Sequence, residues 1–265
     1  MIENDVDITR AVQLRLLEIV RYIDEMCHKH DIQYFLIGGS ALGAVRHEGF
    51  IPWDDDFDIG MTWENYSRFI AICERELDQD RFYLQKERSE YWPMYYSKIR
   101  LNNTVFREED SMSGGHEGLF IDIFCLESIA DGKLESAWQY FCSKVLVAQS
   151  LSERGYNTAS KKKKLAMFLS RFLAFEPVKS FLIREVRRHN PKQTTRVSPL
   201  FGVIRYRKAF FPREYFGDGQ RLKFENLMLP VPSRTHEYLT LYFGDYLTPP
   251  PPEKRKGHDP KMIRL

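Results

Sequence analysis

The sequence predicts a mixed α/β chain of the α+β kind, on three observations. Apolar residues recur at helical spacing near the N-terminus. Two segments in the first half read as buried strands, and beyond Asp131 the texture changes to basic helices. From Ile8 to about His28, the residues Val12, Leu16, Ile19, Ile23 and Met26 make one apolar stripe, with Asp7 or Thr9 to cap its start. "IQYFLIGGSALGAVRHEGF" then reads as a short buried strand (Tyr34 to Ile37), a Gly-Gly-Ser turn and a helix opening near Ala41. "DFDIGM" has the period of a strand, with Asp56 and Asp58 on one face and Phe57 and Ile59 on the other. "ENYSRFIAICERELDQD" is an amphipathic helix, and "YYSKIRLNNTVFRE" predicts a hairpin turning at Asn102-Asn103. "GLFIDIFCL" is a second buried strand with Asp122 at its centre. Residues 134–151 and 161–190 read as helices, and "YLTLYFGDYLTPPPPEKRKGHDP" as a helix followed by a proline-rich tail.

A chain of 265 residues, 43% hydrophobic and 14% aromatic, suits one large domain or a domain with a sizeable insertion, and nothing suggests disorder. Net charge is only +2, but it is unevenly spread: residues 154–213 carry sixteen Lys and Arg against Glu176 and Glu185. Cys27, Cys73, Cys125 and Cys142 are far apart and sit in apolar contexts, as buried free thiols of a reducing compartment do. The N-terminus is acidic before it is apolar, the reverse of a signal peptide, and no apolar run reaches the ~18 residues of a membrane span. The expected location is cytoplasmic, peripheral to the inner face of the cell membrane if the basic segment binds lipid.

Four aspartates fill five positions in "FIPWDDDFDIGM". A solvated turn accounts for Asp54 and Asp55 but not for Asp56 and Asp58, which alternate with buried residues and need a cation or basic side chains opposite. A calcium loop starting at Asp54 fails, because Ile59 and Asn65 stand where Gly and Glu are required. A magnesium site fits: Asp-x-Asp on a strand aims two carboxylates one way, and Asp122, in an otherwise apolar strand, is the natural third. Upstream, "GGS" between a strand and a helix is a ready anion site, and it is neither a P-loop nor a dinucleotide fingerprint.

"LIGGSALGAVRHEGFIPWDDDFDIGM" resembles the signature of the LicD family, which includes the fukutin-type phosphotransferases, and more distantly the nucleotidyltransferase superfamily. Further matches run through "YYSKIRLNNTVF", "GLFIDIF" and "YFGDYLTPPPPEKRKGH", with residues 131–200 matching only loosely. The resemblance implies one nucleotidyltransferase-like domain over 1–265, a mixed sheet flanked by helices, with a basic helical insertion at 131–200. It also implies transfer of phosphocholine or a polyol phosphate from a CDP-alcohol donor to a glycan hydroxyl, such as that of a lipopolysaccharide, a teichoic acid or a lipid-linked precursor, with CMP leaving. Asp56, Asp58 and Asp122 are then expected to ligate Mg²⁺, with Mn²⁺ the alternative, and Asp122 or Asp55 to take the acceptor proton. Gly38, Gly39 and Ser40 are expected to cradle phosphate, with Arg46, Lys98 and His258 as converging cations. The alternatives are a nucleotidyltransferase that consumes a nucleoside triphosphate and a non-catalytic nucleotide- or glycan-binding relic. "KKKKLAMFLSRFLAFEPVKSFLIREVRRH", residues 161–189, alternates basic and apolar residues, so it reads as a solvated face or as an interfacial segment for an anionic membrane. No nucleic-acid recognition motif accompanies the charge.

Overall fold

The computed structural model describes residues 2–109, 111–208, 210–255, 257 and 260–265. In chain order the first half comprises α1 (Ile2–Lys29), β1 (Phe35–Leu36), α2 (Gly38–His47), β2 (Asp58–Thr62), α3 (Trp63–Glu76), β3 (Phe82–Gln85), β4 (Ser97–Leu101), β5 (Val105–Arg107) and β6 (Phe120–Ile129). Then come α4 (Lys133–Glu153), α5 (Lys161–Ser170), α6 (Glu176–Arg187), β7 (Arg196–Ser198), β8 (Phe211–Pro212), β9 (Gln220–Phe224), β10 (Leu227–Val231), α7 (Thr235–Phe243) and β11 (Met262–Arg264).

The main sheet runs β1-β2-β6-β4-β3, and β7 and β8 extend it from the far end of β6. It is mixed: β2 and β6 are parallel, whereas β1 pairs with β2, β4 with β6 and β3 with β4 antiparallel. β6 lies at the centre because nine of its ten residues are buried, a near-continuous apolar run that needs cover on both faces. The stripe of α1 supplies part of that cover, with Val12, Leu16, Ile19 and Ile23 at 1% exposure or less. All four cysteines are buried free thiols.

Three expectations are corrected. Asn102-Asn103 does form a turn, with Asn103 at φ 60°, but no hairpin: β4 pairs with β3 and β6, and β5 pairs with the C-terminal β11. The helix expected over 161–190 is two helices, because the chain is extended at Phe175 and Pro177 opens α6. The helix after β1 opens at Gly38, so the glycines form its first turn and do not precede it. Helices α4 and α6 close over the end of β6 around their own cluster of Ile129, Cys142, Leu146, Leu182, Val186 and Phe201.

Candidate active site

The parallel pairing of β2 with β6 sets Asp58 directly opposite Asp122. The register is locked just before the strand, where the Asp122 N–H donates to Phe57 O at 2.9 Å. Asp56 lies two residues ahead of β2, in the approach to it, and the three carboxylates line one cavity of about 430 Å³. The opening turn of α2 faces them. Gly38 adopts φ +53°, and a Cβ there would sit 3.4 Å from Asp58 Oδ2. A Cβ on Gly39 would sit 2.9 Å from Asp54 Oδ2, so both glycines allow backbone to approach carboxylate. The N-cap is Ile37, whose own side chain makes no capping hydrogen bond. Ser40 is buried, and its Oγ accepts the Asp58 N–H at 2.8 Å, so it positions β2. From the other side Tyr238 accepts the Gly38 N–H at 3.0 Å, which ties α7 to the same turn.

The cation beside Asp122 is Lys98, 1% exposed on β4, with its Nζ 3.2 Å from Asp122 Oδ1 and 3.6 Å from Glu108 Oε2. The ammonium also lies over the rings of Phe120 at 3.2 Å and Trp92 at 4.4 Å. Arg154, from the end of α4, reaches Glu108 Oε2 at 3.6 Å. Burial pushes the Asp122 carboxyl up; the Lys98 ammonium opposes this, and Glu108 and Asp56 add to the rise. Burial likewise pushes Lys98 down, against the pull of Asp122 and Glu108. The Tyr242 hydroxyl is pushed up to about 12, by burial first and then by Asp58 and Asp56.

Among the described residues, no three carboxylate, imidazole or thiol side chains form a ready-made metal cage. The residues nevertheless fit a hard cation shared with a phosphorylated ligand. Asp122 Oδ1 is out of reach of solvent and accepts no hydrogen bond, Lys98 lying close but off the bonding direction. Asp56, Asp58 and Glu108 line the same space, and Mg²⁺ typically takes one or two carboxylates and completes its shell with substrate phosphate and water.

Residues 31–147 match the family model described as LicD/FKTN/FKRP, nucleotidyltransferase domain, and they contain Asp56, Asp58, Lys98 and Asp122. Over this stretch the chain is similar to the LicD-family nucleotidyltransferase domain. It is 28% identical, over 94% of its length and 95% of the relative, to the lipopolysaccharide cholinephosphotransferase LicD of Haemophilus influenzae. A shorter stretch, 29% of the chain and 15% of the relative, is 35% identical to the human ribitol 5-phosphate transferase FKRP.

The cavity gathers Gly38, Asp56, Asp58, Lys98 and Asp122 of the residues expected from sequence, and Gly39 and Ser40 stand behind them in α2. Arg46 does not line it: this residue sits in the last turn of α2, where its guanidinium donates to Tyr246 O at 2.9 Å and to His47. Asp55 also lies off the cavity, its Oδ2 3.2 Å from where a Cβ of Gly257 would stand. His258 lies outside the described residues. Glu108, Arg154, Tyr96, Tyr238 and Tyr242 line the cavity without having been singled out. Only the two α7 tyrosines left a trace in the sequence, their i, i+4 spacing placing them on one face. A larger hollow of about 720 Å³ lies elsewhere, between Gln33, Thr194, Arg196 and Arg213. Its arginines already serve the fold, Arg213 on Thr194 O and Ser128 Oγ, and Arg196 on the carbonyls of Ala130 and Asp131.

Proposed function

We propose that the chain transfers a phosphorylated alcohol, phosphocholine or a polyol phosphate, from a CDP-linked donor to a hydroxyl of a cell-surface glycan or its lipid-linked precursor. The observation that carries this reading is the convergence of Asp56, Asp58 and Asp122 with the glycine turn that opens α2 in one cavity. Phosphoryl transfer asks a protein mainly for positioning and charge stabilisation, and these parts supply both. The relatives named for cholinephosphotransfer and ribitol 5-phosphate transfer point to the same class of reaction.

In this reading Asp56, Asp58 and Asp122 hold Mg²⁺, or Mn²⁺ in its place. When bound, the ion neutralises charge on the donor diphosphate and on the departing CMP. The positive end of α2 faces the phosphate oxygens, with the Gly39 N–H as donor, since the Gly38 N–H is given to Tyr238 and the Ser40 N–H to Ile37 O. Ser40 keeps Asp58 in register, and Lys98 holds the Asp122 carboxylate. The acceptor oxygen attacks the phosphorus that bears the alcohol, the bond from that phosphorus to the bridging oxygen breaks, and CMP departs. The acceptor's proton passes to a carboxylate, for which Asp122 stands in the cavity and Asp55 does not. The aromatic walls of Tyr96, Phe124, Phe201 and Tyr242 suit a trimethylammonium head better than a polyol, which favours choline as the alcohol.

The test is calorimetric binding of CDP-choline, CDP-glycerol, CDP-ribitol and CTP, each with Mg²⁺ and with EDTA, followed by product analysis. Metal-dependent preference for one CDP-alcohol, with CMP released, supports the reading and names the donor. Preference for CTP with pyrophosphate release makes the chain a nucleotidyltransferase, and silence across the panel makes it a binding relic.

A further inference from the structure

We infer that α5 and the turn after it form a docking surface for an anionic lipid bilayer, set beside the mouth of the cavity. Leu165, Phe168, Leu169 and Phe172 follow one another at i, i+3, i+4 and i+7, which places them on one face. They are 57%, 54%, 53% and 68% exposed, and Phe175 just beyond is 54% exposed. The rings of Phe168 and Phe172 meet edge to face at 5.5 Å, so the patch is continuous. Ser170 is the only buried residue of α5, so the helix is not there to fill the core. A contiguous apolar surface of this kind on a folded chain marks a site of interaction.

Charge chooses the occupant. Between Glu153 and Glu176 the sequence holds Arg154, Lys161, Lys162, Lys163, Lys164 and Arg171 and no acidic residue. Lys161, Lys162, Lys163 and Lys164 are exposed in the first turn of α5, directly before the apolar face. Aromatic and aliphatic side chains that enter the acyl boundary, with lysines at headgroup level, are what an interfacial helix presents to anionic lipid. The helix that follows does not belong to this surface. Leu182 and Val186 of α6 are buried against α4, so the interfacial part of 161–189 is its first half.

The position of α5 gives the docking a consequence. Lys163 lines the cavity together with Tyr156, and Val203, 98% exposed, stands at the same rim. A bilayer on the outer face of α5 therefore lies next to the cavity mouth, where a glycan on a membrane lipid can enter. This last step rests on the proposed activity; the docking itself does not.

The experiment is flotation of the full chain with vesicles of phosphatidylcholine alone or of phosphatidylcholine with phosphatidylglycerol, alongside sedimentation to fix its oligomeric state. The wild-type chain is expected to float with the anionic vesicles only, and to be released by high salt. Phe168→Ser with Phe172→Ser should cut partitioning at least about tenfold. Lys161→Gln, Lys162→Gln and Lys164→Gln together should cut it about a hundredfold. No flotation, or undiminished flotation of the phenylalanine variant, overturns the docking surface. So does a wild-type dimer that this variant dissolves, since a second copy would then cover the face. CMP release measured without vesicles separates the two ideas. Release at wild-type level in the phenylalanine variant leaves the activity standing if flotation fails, and absent release in both proteins overturns the activity without touching the docking.

Discussion

Replacing Lys98 by Met removes one charge and keeps most of the volume, which makes it the sharpest probe of the site. Met fills the space of the lysine stem between Phe120 and Trp92, so little packing is lost. What goes is the cation 3.2 Å from Asp122 Oδ1, an oxygen with no hydrogen bond and no solvent. Breaking a buried ion pair on one side costs about 3–5 kcal/mol, because the remaining charge is left uncompensated. For a chain of this size that lowers Tm by roughly 10 °C. The pH dependence separates this cause from simple misfit. The Asp122 carboxyl is already held above its usual range by burial, and without Lys98 it rises further. A carboxyl raised on folding contributes stability that is fully present below its unfolded pKa and lost as pH rises through its folded pKa. Compared at pH 7.5 and pH 5, the variant should therefore lie about 10 °C below wild type at the higher pH and by less at the lower, the direction in which a raised Asp122 carboxyl takes up its proton. Thermal unfolding followed by circular dichroism at the two pH values reads this directly. CMP release should fall by about a hundredfold or more. An equal deficit at both pH values, or none at either, would refute the assignment of Lys98 as the counter-charge of Asp122.

Asp56→Asn and Asp58→Asn are each expected to lower transfer about a thousandfold while shifting Tm by no more than about 2 °C, since both side chains reach the cavity surface; CMP release and a melting curve check the pair. Ser40→Ala removes the acceptor of the Asp58 N–H and should cost about 1–2 kcal/mol, with kcat down about tenfold and KM nearly unchanged. A raised KM with unaltered kcat would instead point to direct substrate contact. Arg187→Met breaks the pairs to Glu87 and Glu127 and should cost about 3–5 kcal/mol in denaturant titration, yet leave kcat of the folded fraction intact.

The pieces of the site were legible where a residue's type contradicted its surroundings. Asp122 stands inside "FIDIF", and Asp58 alternates with residues that cannot face water, so each marks a place that needs a cation or a basic partner. The parallel register that sets them opposite each other was not legible, because it depends on β6 entering the sheet between β2 and β4. The sequence suggests Lys98 as a phosphate ligand; the structure sets it first against Asp122, a long-range partnership that no local pattern encodes. Glu108 and Arg154 escaped for the same reason, being charged residues in polar contexts that only tertiary folding brings to the cavity. Arg46 was drawn in by its place within the signature, but α2 carries it to the opposite end from Gly38. The break at Phe175 was written in the sequence as Glu-Pro, and a 3.6-residue apolar period running through it masked the proline.

Strand β6 carries two acids, Glu127 and the half-buried Asp122, and the contrast between them separates the carboxylate proposed to act from a structural one. Glu127 is wholly buried, and both its oxygens are used: Oε1 accepts from Arg187 Nε at 3.1 Å and Oε2 accepts from Asn190. Arg187 in turn donates twice to Glu87, at 2.7 and 2.8 Å, so the network closes on itself and has no capacity for a ligand. Asp122, five residues earlier on the same strand, has a cation beside Oδ1 at poor bonding geometry, a second acid next to that cation, and a cavity in front of it. Burial raises the carboxyl of both residues, so a shifted pKa does not tell them apart. Saturation does. A fold gains nothing from an acid left under-bonded against a cavity, whereas an enzyme that must accept a cation and a diphosphate there needs that capacity held open. The same criterion sets aside the arginines of the larger hollow, which are tied to backbone carbonyls, and favours the smaller cavity of Asp56, Asp58 and Asp122 as the site proposed for the transfer.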